Sequence, residues 1–273
     1  MPDQDPVSAF RALKGQRKIV CLTAYTAPMA AALDPHCDLM LVGDSLAMVV
    51  YGMDNTRNVD LNTMIRHGEA VMRRQKTALV VIDLPAGSYE NSPQQAVASA
   101  RRVIDETGAH GVKLEGGLAI KAHVQAITGS GIPVMGHIGL LPQHAASVKK
   151  FRITGKTDEE ASQLMRDCEA LAKAGVFSIV MEGMIEPVAS TVAATCPVPS
   201  IGIGASPNCD GQILVTEDML GMFDAYIPKF VRKFATLQPD IRAAVIAYQQ
   251  AVISGDFPEA NHLYYHKGEK KTL

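Results

Sequence analysis

The chain lacks any cysteine spacing typical of a zinc site or a disulfide framework. Its five cysteines are an odd number and form no CxxC pair; they are Cys21, Cys37, Cys168, Cys196 and Cys209. Small secreted scaffolds and structural zinc sites need regularly spaced cysteines. We therefore expect five reduced thiols and a cytoplasmic location.

Long hydrophobic runs and an excess of positive charge are missing as well. No apolar segment approaches the roughly 18–20 residues that span a bilayer, and residues 1–18 contain no apolar signal-peptide region. The net charge is −2, whereas surfaces that bind nucleic acid or anionic membranes are normally basic. The composition predicts a soluble protein whose partners are small molecules, with neither nucleic acid nor membrane among them.

What the chain does contain is a regular alternation of short apolar runs with helical segments. Eight such units favour a closed α/β barrel over an open sheet, and 273 residues suit one barrel domain, 1–273. Residues 222–273 are expected to form a C-terminal extension around a helix at 241–255. The predicted strands are 18–25, 38–44, 78–83, 111–115, 133–138, 178–182, 199–203 and 211–216.

Two helices have clear sequence signals at both ends. Ser92, followed by proline and then by Gln95, is typical of an N-cap with a capping box, and Gly108 is expected to end that helix. Residues 157–160 repeat the pattern, and Gly175 is expected to end the second helix. Each helix leads directly into a strand that ends in Glu-Gly, so one structural unit occurs twice.

Five of the predicted strands end in ionisable residues followed by a turn residue. Such groups are costly to bury unless they contact a metal ion, a substrate or one another. Because the carboxyl ends of barrel strands lie at one face, we expect the groups to meet there. They are Asp44, Asp83, Lys113 with Glu115, His137 and Glu182.

Alternation along each strand predicts how deep these groups lie. Two residues that are two positions apart in a strand point to the same face. If the apolar residue two positions before each polar group packs inside the barrel, the polar group lies one layer higher, at the mouth of the barrel. Lys113 and Glu115 share a face by the same rule. The predicted partners are Val42 with Asp44, Val81 with Asp83, Met135 with His137, and Val180 with Glu182.

The carboxylates of Asp44, Asp83 and Glu115 would repel one another strongly without a cation. Oxygen ligands with no neighbouring cysteine suit a hard divalent ion, which we expect to be Mg²⁺. The alternative is that these carboxylates pair with Lys or Arg side chains, or cap helix N-termini. Lys113 is the candidate for complementing the charge of an anionic substrate.

Two other groups are candidates for proton transfer and hydrogen bonding. Glu182, left outside the metal ligands, could act as a general base; a salt bridge is the alternative. His137 could hydrogen-bond the substrate or orient a water molecule, although a lone histidine in an apolar run is often a core residue.

The segment 202–211 lacks the spacing of a phosphate loop, which favours a glycine-rich turn.

In this order, these residues resemble the ketopantoate hydroxymethyltransferase (3-methyl-2-oxobutanoate hydroxymethyltransferase) family. The resemblance runs from about Lys18 to His262. The matching segments are LTAYTAPMA (22–30), VGDSLAMVVYGMDNT (42–56), DLPAGSY (83–89), VKLEGG (112–117), IPVMGHIGLLPQ (132–143), IVMEG (179–183), IGIGASPNCDGQILV (201–215) and GDFPEANH (255–262).

The resemblance implies a (β/α)₈ barrel of the phosphoenolpyruvate/pyruvate superfamily. It implies transfer of a hydroxymethyl group from 5,10-methylenetetrahydrofolate to 3-methyl-2-oxobutanoate, giving 2-dehydropantoate and tetrahydrofolate. Family members are commonly decamers, so a homo-oligomer is expected. The implied roles are Mg²⁺ binding by Asp44, Asp83 and Glu115, contact with the 2-oxo acid by Ser45, Asp44, Asp83 and Lys113, proton acceptance by Glu182, and an active-site position for His137.

The chain departs from the family pattern at a few positions. Ala47 stands where the family has glycine, Ala86 stands where it has a bulky aromatic residue, and GASPNCD replaces GAGPDCD within 201–215. All groups assigned to chemistry are retained, so the departures bear on substrate fit. Two other functions stay open: a Mg-dependent lyase or mutase acting on another 2-oxo acid, and a non-catalytic paralogue that binds a 2-oxo acid.

Overall fold

The computed structural model describes residues 5–145, 151–223 and 228–266. Eight parallel strands close into a barrel in chain order, with β8 pairing back to β1. Every predicted strand is present, and no end differs from its prediction by more than two residues. The strands are β1 (Ile19–Thr23), β2 (Leu39–Val42), β3 (Leu79–Asp83), β4 (Gly111–Lys113), β5 (Val134–Gly139), β6 (Ser178–Glu182), β7 (Ser200–Ile203) and β8 (Gly211–Leu214).

Helices alternate with the strands along the chain. None of those in the described ranges combines the length and apolar character that crossing a membrane requires. The helices are α1 (Pro6–Ala12), α2 (Ala27–Leu33), α3 (Leu46–Val49), α4 (Leu61–Met72), α5 (Pro93–Thr107), α6 (Lys121–Gly129), α7 (Asp158–Lys173), α8 (Glu186–Thr195), α9 (Thr216–Leu220) and α10 (Leu237–Ser254).

The beginning of α5 follows the predicted cap with one difference. The Ser92 hydroxyl accepts a hydrogen bond from the Gln95 backbone N–H at 3.1 Å, as an N-cap residue does. The Gln95 side chain, however, accepts from the N–H of Asn91 rather than from that of Ser92. The prediction of a reciprocal capping box is therefore wrong by one residue, because the Gln95 side chain extends past the N-cap residue Ser92 to the residue before it.

Two layers of buried side chains build the barrel. An outer layer packs between the strands and the helices. The inner layer fills the barrel, and α1 covers its amino-terminal end, where the rings of Phe10 and Phe177 lie 5.7 Å apart. The other end, at the carboxyl termini of the strands, carries the polar groups. Strand residues of the inner layer include Leu39, Leu41, Leu79, Val81, Met135, Val180, Ile201 and Ile213.

The alternation rule is correct for three of the four predicted apolar partners. Val81, Met135 and Val180 belong to the inner layer. Val42 does not; it belongs to the outer layer, whereas its neighbour Leu41 faces inward. The prediction fails there because β2 ends at Val42. Asp44 therefore reaches the mouth through a turn, not through strand alternation.

Asp34 connects two segments next to the barrel. Its carboxylate accepts hydrogen bonds from the backbone N–H groups of Lys76, Thr77 and Ala78 at 3.0–3.2 Å. Burial would raise the pKa of Asp34, but these hydrogen bonds favour the charged form and hold its pKa below the ordinary value. The carboxylate thus fixes the end of the α2 region against the start of β3.

We expect Asp34→Ala to lower the free energy of unfolding by roughly 2–4 kcal/mol at pH 7, because one buried and two partly buried N–H groups lose a charged acceptor. A depressed folded-state pKa stabilises the protein above the unfolded pKa of about 4, and this contribution is lost as the pH falls through the folded pKa. Urea unfolding at pH 7 and pH 3 measures both effects. Asp34→Asn, which keeps one acceptor oxygen, should lose less; equal stability of all three proteins at pH 7 would contradict the assignment.

The chain divides into two compact units, Met1–Thr216 and Glu217–Leu273. In the second unit, α10 begins four residues before the predicted helix, with Pro239 tolerated in its first turn. The inclusion of this segment in one barrel domain, with 222–273 as an extension, stays a prediction, and so does the homo-oligomer. Exposed apolar side chains of α10 are Ile241, Val245, Ile246, Tyr248, Val252 and Ile253.

Candidate active site

The predicted functional side chains come together at the carboxyl-terminal end of the barrel. Each stands at or just beyond the end of its strand, except His137, which lies within β5. Five of the groups are buried, and the side chains of Glu182 and Ser45 are partly exposed. The residues and their elements are Asp44 and Ser45 after β2, Asp83 in β3, Lys113 in β4, Glu115 after β4, His137 in β5 and Glu182 in β6.

Lys113 is at the centre of this group. Its Nζ lies 2.8 Å from Oδ1 of Asp83 and 3.4 Å from Nδ1 of His137. Burial alone would lower the pKa of Lys113, but the charges of Asp83, Glu115 and Asp44 raise it above its ordinary value. The side chain is therefore a buried ammonium ion. The lysine pairing considered as an alternative for the carboxylates is present at Asp83.

Asp44 and Glu115 are buried carboxyl groups that favour the protonated form. Burial, followed by the charge of Asp83, raises the pKa of Asp44 to about 7. Burial, followed by the charge of Asp44, raises the pKa of Glu115 well above its usual value. With Asp83, three carboxyl groups thus share one ammonium group, that of Lys113, among the residues that the structure describes. Ionisation of all three carboxyl groups would leave the site with more negative than positive charge, which is why their charged forms are disfavoured without a further cation.

Among the described residues, no set of three carboxylate, imidazole or thiol side chains lies close enough together to hold a metal ion in the present arrangement. Lys113 contacts Asp83, and Gln143 contacts both Asp44 and Glu115. The donor chemistry nevertheless fits a hard divalent cation, because all the predicted ligand atoms are carboxylate oxygens. A bound cation would also favour the charged forms of Asp44 and Glu115, whose pKa values burial and neighbouring carboxylates raise.

His137 links Lys113 to Glu182. Burial, followed by the charge of Lys113, lowers the pKa of His137, so its imidazole is neutral. An ammonium group can only donate, so Nδ1 accepts from Lys113 and the ring proton lies on Nε2. Nε2 is 3.2 Å from Oε2 of Glu182, although without the alignment of a full hydrogen bond. His137 is therefore placed among polar site groups.

The turn after β2 brings Ser45 and Asp44 close to Asp83. The backbone N–H of Asp44 donates to Oδ2 of Asp83 at 3.0 Å, and Oγ of Ser45 is 2.7 Å from the Tyr25 hydroxyl. A Cβ atom at Gly43 would lie 2.8 Å from Oγ of Ser45 and 3.5 Å from Oδ2 of Asp83. A larger residue would force the Ser45 hydroxyl to move, so glycine permits this arrangement.

Two site residues, Gln143 and Tyr89, were not assigned from the sequence. Gln143 Nε2 donates to Oδ2 of Asp44 at 2.8 Å and to the carbonyl oxygen of Leu84 at 3.0 Å. Its backbone N–H donates to Oε2 of Glu115, and its Oε1 accepts from the Tyr89 hydroxyl at 2.7 Å. Both residues end segments that match the family. An uncharged polar side chain adds neither a charge nor a periodic pattern to the sequence. The position of these two residues within the family-matching segments was therefore the only indication of a role.

The segment between β7 and β8 is a turn, as predicted. Its departures from the family pattern make contacts of their own. Oγ of Ser206 donates to Oε1 of Glu186 at 2.9 Å, and Nδ2 of Asn208 donates to Oγ of Ser190 at 2.8 Å. Both partners lie on α8, so these substitutions attach the turn to the preceding helix. Ala47 is buried and Ala86 is half-buried.

Comparison with known proteins gives the same family as the sequence motifs. The family model described as ketopantoate hydroxymethyltransferase matches residues 6–260. A Brucella canis protein named 3-methyl-2-oxobutanoate hydroxymethyltransferase is 50% identical over 255 residues, which cover 93% of each chain. A Rhizobium rhizogenes protein of the same name is 48% identical over 264 residues, which cover 97% of each chain.

Solved structures with the same fold are much more distant in sequence. One is 2,3-dimethylmalate lyase, described as a PEP mutase/isocitrate lyase superfamily member, with a TM-score of 0.59, 18% identity, and coverage of 93% of this chain and 88% of that one. Another is phosphonopyruvate hydrolase in complex with oxalate and Mg²⁺, with a TM-score of 0.58, 11% identity, and coverage of 95% and 93%. They confirm the predicted fold class. From the family match over most of its length, the chain belongs to the ketopantoate hydroxymethyltransferase family.

Proposed function

We propose that the chain transfers a hydroxymethyl group from 5,10-methylenetetrahydrofolate to 3-methyl-2-oxobutanoate, giving 2-dehydropantoate and tetrahydrofolate. The names of the relatives at 50% and 48% identity support the acceptor and the group transferred. The observation that carries the proposal is a carboxylate, Glu182, at the partly open side of a buried site that also holds the ammonium group of Lys113. This pairing suits removal of a proton from an anionic substrate.

Lys113 supplies the positive charge that the 2-oxo acid needs. Its burial beside Asp83 keeps it charged and restricts its position. Ser45, Asp44 and Asp83 surround the same space and provide hydrogen-bonding groups for the substrate. When bound by Asp44, Asp83 and Glu115, Mg²⁺ would act as a Lewis acid toward the 2-oxo group. The family resemblance, the oxygen donor set and the mutual repulsion of the three carboxyl groups support this ligand set.

Glu182 is the proposed base that takes the C3 proton of the substrate. The neutral imidazole of His137, with its proton on Nε2, lies 3.2 Å from Oε2 of Glu182 and is the polar neighbour of the proposed base. Negative charge that develops on the substrate oxygen is balanced by Lys113. The C3 carbon then bonds to the methylene carbon of the folate, and both bonds from that carbon to N5 and N10 of the folate break. Water supplies the hydroxyl group, and the C3 proton and the remaining proton of water end on the two folate nitrogens.

The proposed function is tested by asking whether product formation requires the one-carbon donor. The purified protein with Mg²⁺ and 3-methyl-2-oxobutanoate should form 2-dehydropantoate, detected by mass spectrometry, only when 5,10-methylenetetrahydrofolate is present. Consumption of a 2-oxo acid without folate would instead indicate a lyase or mutase. No conversion of any 2-oxo acid by a folded protein would indicate a binding paralogue. The cysteine pattern supports a cytoplasmic location. The family resemblance supports a homo-oligomer, because family members are commonly decamers.

A further inference from the structure

We infer that Gln143 is a positioning residue that fixes Asp44 and Glu115 for cation binding, with Tyr89 orienting its amide. The inference rests on the proposed function, because it concerns the proposed ligands of the divalent ion. It adds a residue from the turn after β5, a part of the chain that contributes none of the proposed ligands. The residue itself needs no contact with the ion.

Every donor of the Gln143 amide has a partner. One N–H donates to Oδ2 of Asp44 at 2.8 Å and the other to the Leu84 carbonyl oxygen at 3.0 Å, while Oε1 accepts from the Tyr89 hydroxyl at 2.7 Å. The side chain is 5% exposed. A buried amide satisfied in this way has one orientation only, because a flip would place its oxygen against two other oxygens.

The backbone of the same residue holds the second carboxylate. The Gln143 N–H donates to Oε2 of Glu115 at 3.0 Å. One residue thus connects the ends of three strands, because Asp44 follows β2, Leu84 follows β3 and Glu115 lies beyond β4. One oxygen of each carboxylate is engaged by Gln143, which leaves the other oxygen of each to act as a ligand. The distance between the two carboxylates is therefore set by this turn.

Tyr89 determines which way the amide faces. Its ring is fully buried, and its hydroxyl also lies 3.2 Å from the Glu115 carbonyl oxygen and 3.3 Å from the Glu115 backbone nitrogen. The hydroxyl therefore ties the Gln143 oxygen to the end of β4. Removing it should leave the carboxylates in place but allow the amide to turn, which predicts a smaller effect than loss of the amide itself.

The decisive variants are Gln143→Leu and Tyr89→Phe. Gln143→Leu removes the side-chain hydrogen bonds but keeps the backbone N–H that holds Glu115. Outer-shell partners of metal ligands change affinity by about 10–100-fold, so the Kd for Mn²⁺ should rise by that factor, and by less in Tyr89→Phe. Gln125→Leu, at an exposed position of α6, is the matched control and should bind as the unmodified protein does.

Binding of Mn²⁺ to each folded protein is measured by electron paramagnetic resonance, without substrate or folate. Turnover of Gln143→Leu should also recover at high Mn²⁺, which a general packing defect would not permit. If Gln143→Leu does not fold, Tyr89→Phe decides. Unchanged Mn²⁺ affinity in the folded variants would overturn this inference alone. No Mn²⁺ binding by the unmodified protein would overturn the metal assignment in the proposed function, and this inference with it.

Discussion

Glu182→Gln should lower kcat for 2-dehydropantoate formation by roughly 10²–10⁴-fold, the usual contribution of a positioned general base. The amide has the shape of the carboxylate and can still face Nε2 of His137, 3.2 Å away in the unmodified site. It cannot take the C3 proton of the substrate. Mn²⁺ affinity should stay close to that of the unmodified protein, because Glu182 is outside the proposed ligand set.

Steady-state kinetics with both substrates and a Mn²⁺ titration separate these effects. Glu169→Gln is the matched control, since Glu169 is an exposed carboxylate on α7 paired with Lys173. It makes the same chemical change away from the barrel mouth and should keep full activity. A Glu182→Gln protein with unchanged kcat would show that another group takes the proton.

Lys113→Met should lower the free energy of unfolding of the metal-free protein by about 3–5 kcal/mol, the cost of removing one partner of a buried ion pair. Its ammonium group, 2.8 Å from Asp83, is the positive charge nearest to three buried carboxyl groups. Methionine fills similar space but leaves the carboxylate of Asp83 buried without its charged partner. The variant should also lose turnover, because the substrate loses its complementary charge.

The double variant Asp83→Asn with Lys113→Met tests the cause. If the loss comes from an uncompensated carboxylate, removing the Asp83 charge should restore part of the stability, and the two changes will be non-additive. Urea denaturation of the single and double variants at pH 7 gives the coupling energy. Additive losses, or a Lys113→Met protein as stable as the unmodified one, would contradict this description of the site.

The barrel could be predicted from the sequence because each strand is a short apolar run followed by a turn. β8 was predicted correctly even though its run, at Gly211–Leu214, is short. Strand alternation also placed Asp83, His137 and Glu182 correctly, since each stands two residues after an inward apolar residue in the same strand. These features depend on the spacing of apolar and polar residues within one short segment, and that spacing can be read directly from the sequence.

The remaining features depend on contacts between segments that are distant in the chain. Asp44 lies beyond the end of β2, so its position depends on the turn at Gly43 and not on alternation. Gln143 is 99 residues from Asp44, to which it donates. No local pattern marks an uncharged amide as a partner of two carboxylates. The family motifs include it, but they do not say what it contacts.

The measurement that tests the proposed reaction most directly is proton NMR of 3-methyl-2-oxobutanoate in D₂O with the purified protein and no folate. We expect loss of the C3 proton signal with Mg²⁺ present, much slower loss without Mg²⁺, and none with Glu182→Gln. This isolates proton removal from the one-carbon transfer. A folded, Mg²⁺-binding protein that leaves the C3 signal unchanged would contradict the proposed role of Glu182 and the reaction built on it.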